Sequence, residues 1–178
     1  MSLNPTNLDD LTRKMMVVEI EDDITSQRTY SSSRLNQRGT EQWTTLLKEA
    51  VEHHDDAWLA NEIRSKGLLK EVEERRKPKG GYTNAKLPFN AHEMLAEGEF
   101  NRVYIRGLAR RAIEEGKSLI VYRAKEVVNP RQESEDKIGN AVDPKQLLED
   151  LRTHIGMDTA LGLPAGPNSG LSVQFGNN

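Results

Sequence analysis

Residues Glu99 to Gly116 read EFNRVYIRGLARRAIEEG, and this stretch constrains the fold more than any other. At about 100° per residue, Phe100, Tyr104, Ile105, Leu108, Ala109, Ala112 and Ile113 spread over one broad side of a helix. Arg102, Arg106 and Arg110, four residues apart, share the other edge. Gly116 suits the position just past the helix end. Such a helix packs through one face, so the rest of the chain must supply elements that cover it.

Similar signals place those elements. Trp43, Leu46, Leu47, Ala50 and Val51 recur at helical spacing, which predicts a helix from an N-cap at Thr40 to about His53. Asp55 or Asp56 caps a second helix, with Trp58, Leu59 and Ile63 inward and Gly67 as its stop. LLKEVEERR (68–76) is predicted as a third, highly charged helix. Asn90 caps the helix that leads into the arginine stretch, with Glu93 in a capping-box-like position and Gly98 as a kink or division. Asp143 and Pro144 open a last helix, KQLLEDLRTHI. SLIVYRAKEVV (118–128) is the best strand, and the apolar run MMVVEI (15–20) is predicted as a strand that pairs with it. Residues 21–39, 77–89 and 129–142 read as loops. The expected architecture is α+β and mostly helical, a small helical bundle on a short sheet. Residues 1–39 form an N-terminal arm with one strand, 40–155 the core domain, and 156–178 an extended C-terminal arm.

The bulk numbers limit the chemistry. In 178 residues there is no cysteine, so disulfides, thiolate metal sites and a cysteine nucleophile are excluded. No run approaches the roughly 18 apolar residues of a membrane span, and the N-terminus lacks a secretory pattern. The expected location is the cytoplasm, or a particle assembled there, with no membrane contact. The net charge of −3 is unevenly spread. Residues 40–63 carry one lysine against six acids, and 64–86 carry eight basic residues against three acids. Adjacent blocks of opposite sign suggest contacts that neutralise each other, within one chain or between copies.

Four groups of side chains merit weighing as sites. Arg102, Arg106 and Arg110 could clamp a phosphate or carboxylate bidentately. Glu99 and Glu114 stand at ion-pairing distance along the helix, however, so the edge reads first as a solvated face, available to a protein partner. Arg75, Arg76, Lys77, Lys79 and Lys86 surround Gly80, Gly81 and Tyr82, a basic loop with one aromatic that suits a polyanion or an acidic protein surface. It lacks the spacing of a nucleotide-binding loop. His53, His54, Asp55 and Asp56 are adjacent at a helix junction and cannot all face one ion, and His92 and His154 have no ligand spacing, so no metal site is predicted. EIEDD (19–23) beside a strand resembles a nuclease acid cluster, but the second strand places Ala124 before Lys125, where an acid is needed, and Glu126 falls out of place. With no catalytic triad and no phosphate fingerprint, no catalytic residue and no cofactor is expected.

The tail LGLPAGPNSGLSVQF carries Leu161, Leu163, Leu171, Val173 and Phe175 as apolar pegs along an extended path, which suits an arm laid on another subunit's sheet edge. The arginine stretch, the following VYRAKEVVNPR and the closing LGLPAGPNSGLSV resemble small uncharacterised proteins of bacteria and their phages, over about residues 90–175. The resemblance brings no activity or site residues. The leading expectation is a non-enzymatic assembly subunit, in a phage or prophage-derived particle, that meets other protein subunits of its own or another kind. The rival expectation is a nucleic-acid-binding accessory protein using the basic loop and the arginine helix.

Overall fold

The computed structural model describes residues 2–156, 162–163 and 169–176. In chain order these form α1 (Asp10–Thr25), α2 (Gln37–His53), α3 (Asp56–Ser65), β1 (Val72–Arg76), β2 (Tyr82–Lys86), α4 (Ala91–Glu115), β3 (Leu119–Arg123), α5 (Gln132–Glu135), β4 (Ala141–Val142), α6 (Pro144–Thr153) and β5 (Leu171–Phe175). The fold is α+β and mostly helical.

The arginine stretch is the second half of α4, around which the rest is built. Phe100, Tyr104, Ile105, Leu108, Ala109 and Ala112 are buried, and α1, α2, α3, α6 and β5 all pack on this helix. Gly116 ends it in the left-handed conformation at φ 65°, its N–H on the Ala112 carbonyl. The helix runs through Gly98 without division. Asn90 stands at its N-cap without a side-chain capping bond. Asp55 caps α3 through the Trp58 N–H at 2.8 Å, and Asp143 caps α6 through the Gln146 N–H at 2.9 Å.

Several elements depart from the sequence expectation. MMVVEI is not a strand. It lies inside α1, which Asp9 starts by accepting the Thr12 N–H at 2.9 Å. The run conceals a helix because α1 buries Thr12, Glu19 and Asp23 beside Met16 and Ile20, so its apolar residues show no period of 3.6. α2 starts at Gln37 rather than Thr40, capped by Asn36, which accepts the Gly39 N–H at 2.8 Å. LLKEVEERR does not form a third helix. Gly67, at φ 61°, closes α3, and the chain goes on as β1. The expected loop 77–89 is largely the turn and second strand of a hairpin.

β3 does not pair with MMVVEI either. It is the centre of an antiparallel sheet ordered β4-β3-β5, with Val121 opposite Val173 and Leu119 opposite Val142. The C-terminal strand thus joins the chain's own sheet instead of an outside edge. Asn101 fastens it to α4, donating to the Leu171 carbonyl at 2.8 Å and accepting from Ser172 Oγ at 2.7 Å. The N-terminal stretch is tethered too. Asn4 N donates to the Ala124 carbonyl at 2.8 Å, Thr6 N to the Tyr122 hydroxyl at 2.9 Å, and Asn7 Oδ1 accepts the Phe175 N–H at 3.0 Å. With α1 packed on α4, residues 2–25 belong to the body of the fold. Among the described residues, no helix is long and apolar enough to cross a membrane.

Candidate functional site

The hairpin β1–β2 keeps its charged and aromatic side chains facing outward. Its strands pair antiparallel, Val72 opposite Lys86 and Arg76 opposite Tyr82. Lys77 N donates to the Gly81 carbonyl at 2.9 Å, and Gly80 N to the Lys77 carbonyl at 3.1 Å. Pro78 supplies the fixed φ of a turn's second position. Gly80 and Gly81, at φ 91° and 79°, supply the positive φ that completes it. The root is stitched to the body. Arg34 Nε meets Glu73 at 2.7 Å, Lys70 N donates to the Arg34 carbonyl, and Leu35 bridges Leu69.

Directly opposed residues share a face of the ribbon. One face carries Val72, Lys86, Glu74, Asn84, Arg76 and Tyr82, and the other Glu73, Ala85, Arg75 and Thr83. Arg75 is partly spent on Glu73, at 2.6 Å. Arg76, Lys77, Lys79 and Lys86 make no ion pair among the described residues and are exposed. Tyr82 is 63% exposed, Val72 44%, and Phe89, three residues beyond β2, 88%. Sequence reasoning located the cations and Tyr82. It missed Val72 and Phe89, because an isolated apolar residue carries no periodic signal.

The arginine helix behaves oppositely. Its edge is not a wet face. Glu19 is fully buried and accepts from Arg106 Nε at 2.9 Å, Arg110 at 3.0 Å and Arg152 Nε at 3.0 Å. Arg106 also forks onto Asp23 at 2.6 and 2.9 Å, and Arg110 reaches Asp22 at 3.0 Å. Arg111 pairs with Asp9 and Glu115, both at 2.6 Å. Three arginines from α4 and α6 thus balance three acids of α1. The local glutamates predicted as partners stand farther off, Glu99 at 3.7 Å from Arg102 and Glu114 at 3.9 Å from Arg110. Arg102 also donates to the His154 carbonyl at 3.4 Å. Burial pushes the Glu19 carboxyl up, but hydrogen bonds from Arg152 and Arg110 and the charge of Arg106 outweigh it and hold the group below the usual range. EIEDD is therefore the acid side of a structural network, with Glu21 paired to Lys48 at 2.8 Å.

Beside this network lies a cavity of about 40 Å³, lined by Ile20, Asp23, Tyr30, Glu99, Arg102 and Arg106 among others. It is too small for an organic cofactor. Burial raises the Glu99 carboxyl to about 7, against the opposing charges of Arg102 and Arg106. The folded state therefore holds this proton more tightly than the unfolded chain. Its contribution to stability is fully present below about pH 4.5 and is lost as pH rises through 7. Glu99→Gln should make the protein more stable than wild type above pH 7, by no more than about 3 kcal/mol. Urea unfolding at pH 5 and pH 8 checks this, and an unchanged difference between the two pH values refutes it.

The remaining candidates take structural places. His54 stacks on Trp58 at 4.2 Å, Asp55 caps α3, and Asp56 accepts the Leu3 N–H at 3.1 Å. Burial first, then the charges of Glu97 and Asp55, raises Asp56 to about 6, against the pull of the Leu3 N–H. Among the described residues no group of three or more metal-binding side chains converges. Leu163, Leu171 and Val173 are buried in the core, and Phe175 lies under Arg111 and Lys117, at 5.0 and 4.4 Å. Leu161 lies outside the described residues. Comparison with known proteins finds no family model, no curated relative and no solved structure that matches this chain, so its function is argued from its own residues.

Proposed function

We propose that this protein is a non-enzymatic assembly subunit that docks on a partner protein through its β1–β2 hairpin. The observation that carries the reading is the ribbon's composition in place: Val72 and Tyr82 are exposed along one of its faces and Phe89 just beyond its second strand, while Arg76, Lys77, Lys79 and Lys86 are exposed and make no ion pair among the described residues. A two-stranded hairpin alone in water is marginal at best, so a ribbon that packs on little besides itself gains from a surface that receives it. Exposed apolar and aromatic residues amid cations make a suitable centre for a protein interface. The rest of the chain argues against a polyanion partner. Outside 72–86 it carries twenty basic residues against twenty-six acids, and the arginine helix spends its charge internally. The terminal arms, in contrast, lend the reading little, since Leu171 and Val173 serve this chain's own core.

A photo-crosslinking amino acid at position 82 tests it. The expected product is a nuclease-resistant protein adduct that disappears in Arg76→Glu/Lys77→Glu/Lys79→Glu. A nuclease-sensitive adduct alone would replace this reading with nucleic-acid binding. The triple variant should keep its unfolding free energy within about 0.5 kcal/mol of wild type, because these side chains touch nothing in the core.

A further inference from the structure

Resting on that reading, we infer that the partner is a second copy of this chain, and that its α2–α3 corner receives the hairpin. The corner offers the complement of the ribbon in charge and carries aromatic rings of its own. Glu49, Glu52 and Asp55 cluster where α2 ends and α3 begins, with His53 exposed beside them. The two glutamates have only distant charge partners among the described residues: Glu52 stands 4.0 Å from His53 and Glu49 3.7 Å from His54, contacts that carry charge only when the histidines are protonated. In their midst His54 lies flat on Trp58, with rings 10° from parallel, and both are half-buried.

The hairpin presents Tyr82 between cations, and the corner presents a stacked aromatic pair between carboxylates. Tyr82 on the His54–Trp58 platform would make an aromatic contact beyond its area burial. Arg76, Lys77 and Lys79 would meet Glu49, Glu52 and Asp55. An arginine over the Trp58 face adds a cation–π contact. Within this chain the two patches do not meet: the corner lies at the start of α3 and the hairpin follows its end, with about 15 Å of helix between them. The interface joins two different patches, so it is heterologous and permits growth beyond a dimer unless the rotation closes a ring.

Charge swapping decides the matter. Sedimentation velocity at low salt should show wild type associating in a concentration-dependent way, and dissociating as salt rises. Arg76→Glu/Lys77→Glu/Lys79→Glu and, separately, Glu49→Lys/Glu52→Lys should each weaken self-association by at least about tenfold. Asp55 is left alone because it caps α3. An equimolar mixture of the two variants should associate again, through the swapped pair. Thermal melts confirm that both variants fold. If the lysine variant does not, Glu49→Gln/Glu52→Gln takes its place and should weaken association to a smaller degree. A wild type that stays monomeric, a corner variant that associates normally, or a mixture that stays apart overturns the second-copy inference. The wider docking reading falls only if the crosslink at position 82 also yields no protein adduct.

Discussion

Arg106→Leu should destabilise the protein by about 3–5 kcal/mol at pH 7, against a total of roughly 5–15 kcal/mol for a domain. The side chain of Arg106 is only 6% exposed, and it touches two carboxylates that the fold has taken out of water. Removing the guanidinium leaves Asp23 without the fork it accepts and Glu19 with two arginines in place of three. The loss comes from stranding buried charge, not from the worth of the ion pairs themselves. Replacing the group together, as Arg106→Leu/Glu19→Leu/Asp23→Leu, should therefore recover much of it. Arg110→Ala should cost far less, because its side chain is about 30% exposed and water screens what remains. Arg106→Lys should resemble leucine more than wild type, since an ammonium cannot fork onto Asp23 while reaching Glu19. Urea unfolding followed by circular dichroism measures all four. A loss under about 1 kcal/mol for Arg106→Leu would mean that the network is not holding α1 to α4.

This network also explains what the sequence concealed. Helices that pack through apolar faces were legible: the Trp43-to-Val51 stripe marks α2, and the Phe100-to-Ala112 side of α4 is core as expected. α1 was not, because it meets α4 through Thr12, Glu19 and Asp23, polar residues that a hydrophobic pattern assigns to solvent. Their partners stand more than eighty residues away. The only signal was a match between two helical spacings, Glu19 and Asp23 on one segment and Arg106 and Arg110 on another, and one sequence alone cannot say that they meet. Arg152, the third cation on Glu19, stands in the last turn of α6, where nothing in the sequence ties it to α1. The hairpin was half legible. KPKGG marked a loop and its cations were evident, but β1 is VEERR, whose composition favours a helix until the turn and the YTNAK partner are considered together. The alternation of Leu171, Val173 and Phe175 pointed to strand addition, and only the destination was missed.

How α1 comes close enough for those ion pairs is set by a single glycine, and this yields the second large effect. Gly107 lies on α4 between Arg106 and Leu108, under Met16 of α1. A Cβ built there would stand 2.6 Å from Met16 Cγ, 2.8 Å from the Met16 backbone nitrogen and 3.1 Å from its Cα. A side chain could rotate away, but the backbone of α1 can yield only by moving the helix. Alanine is favoured over glycine by about 1 kcal/mol inside a helix. Overpacking of this kind costs about 1–3 kcal/mol, and here the displacement also stretches the 2.8 Å and 2.6 Å contacts of Arg106. Gly107→Ala should therefore be a net loss of about 1–2 kcal/mol despite its better helix propensity. Gly98, on the same helix, supplies the control. A Cβ there meets nothing within 4 Å, so Gly98→Ala should stabilise by about 0.5–1 kcal/mol. Opposite signs for one substitution at two positions of one helix isolate the approach of α1 from propensity. If both variants gain stability, α1 does not sit as close to α4 as the Met16 contact requires, and the buried arginines lose their partners with it.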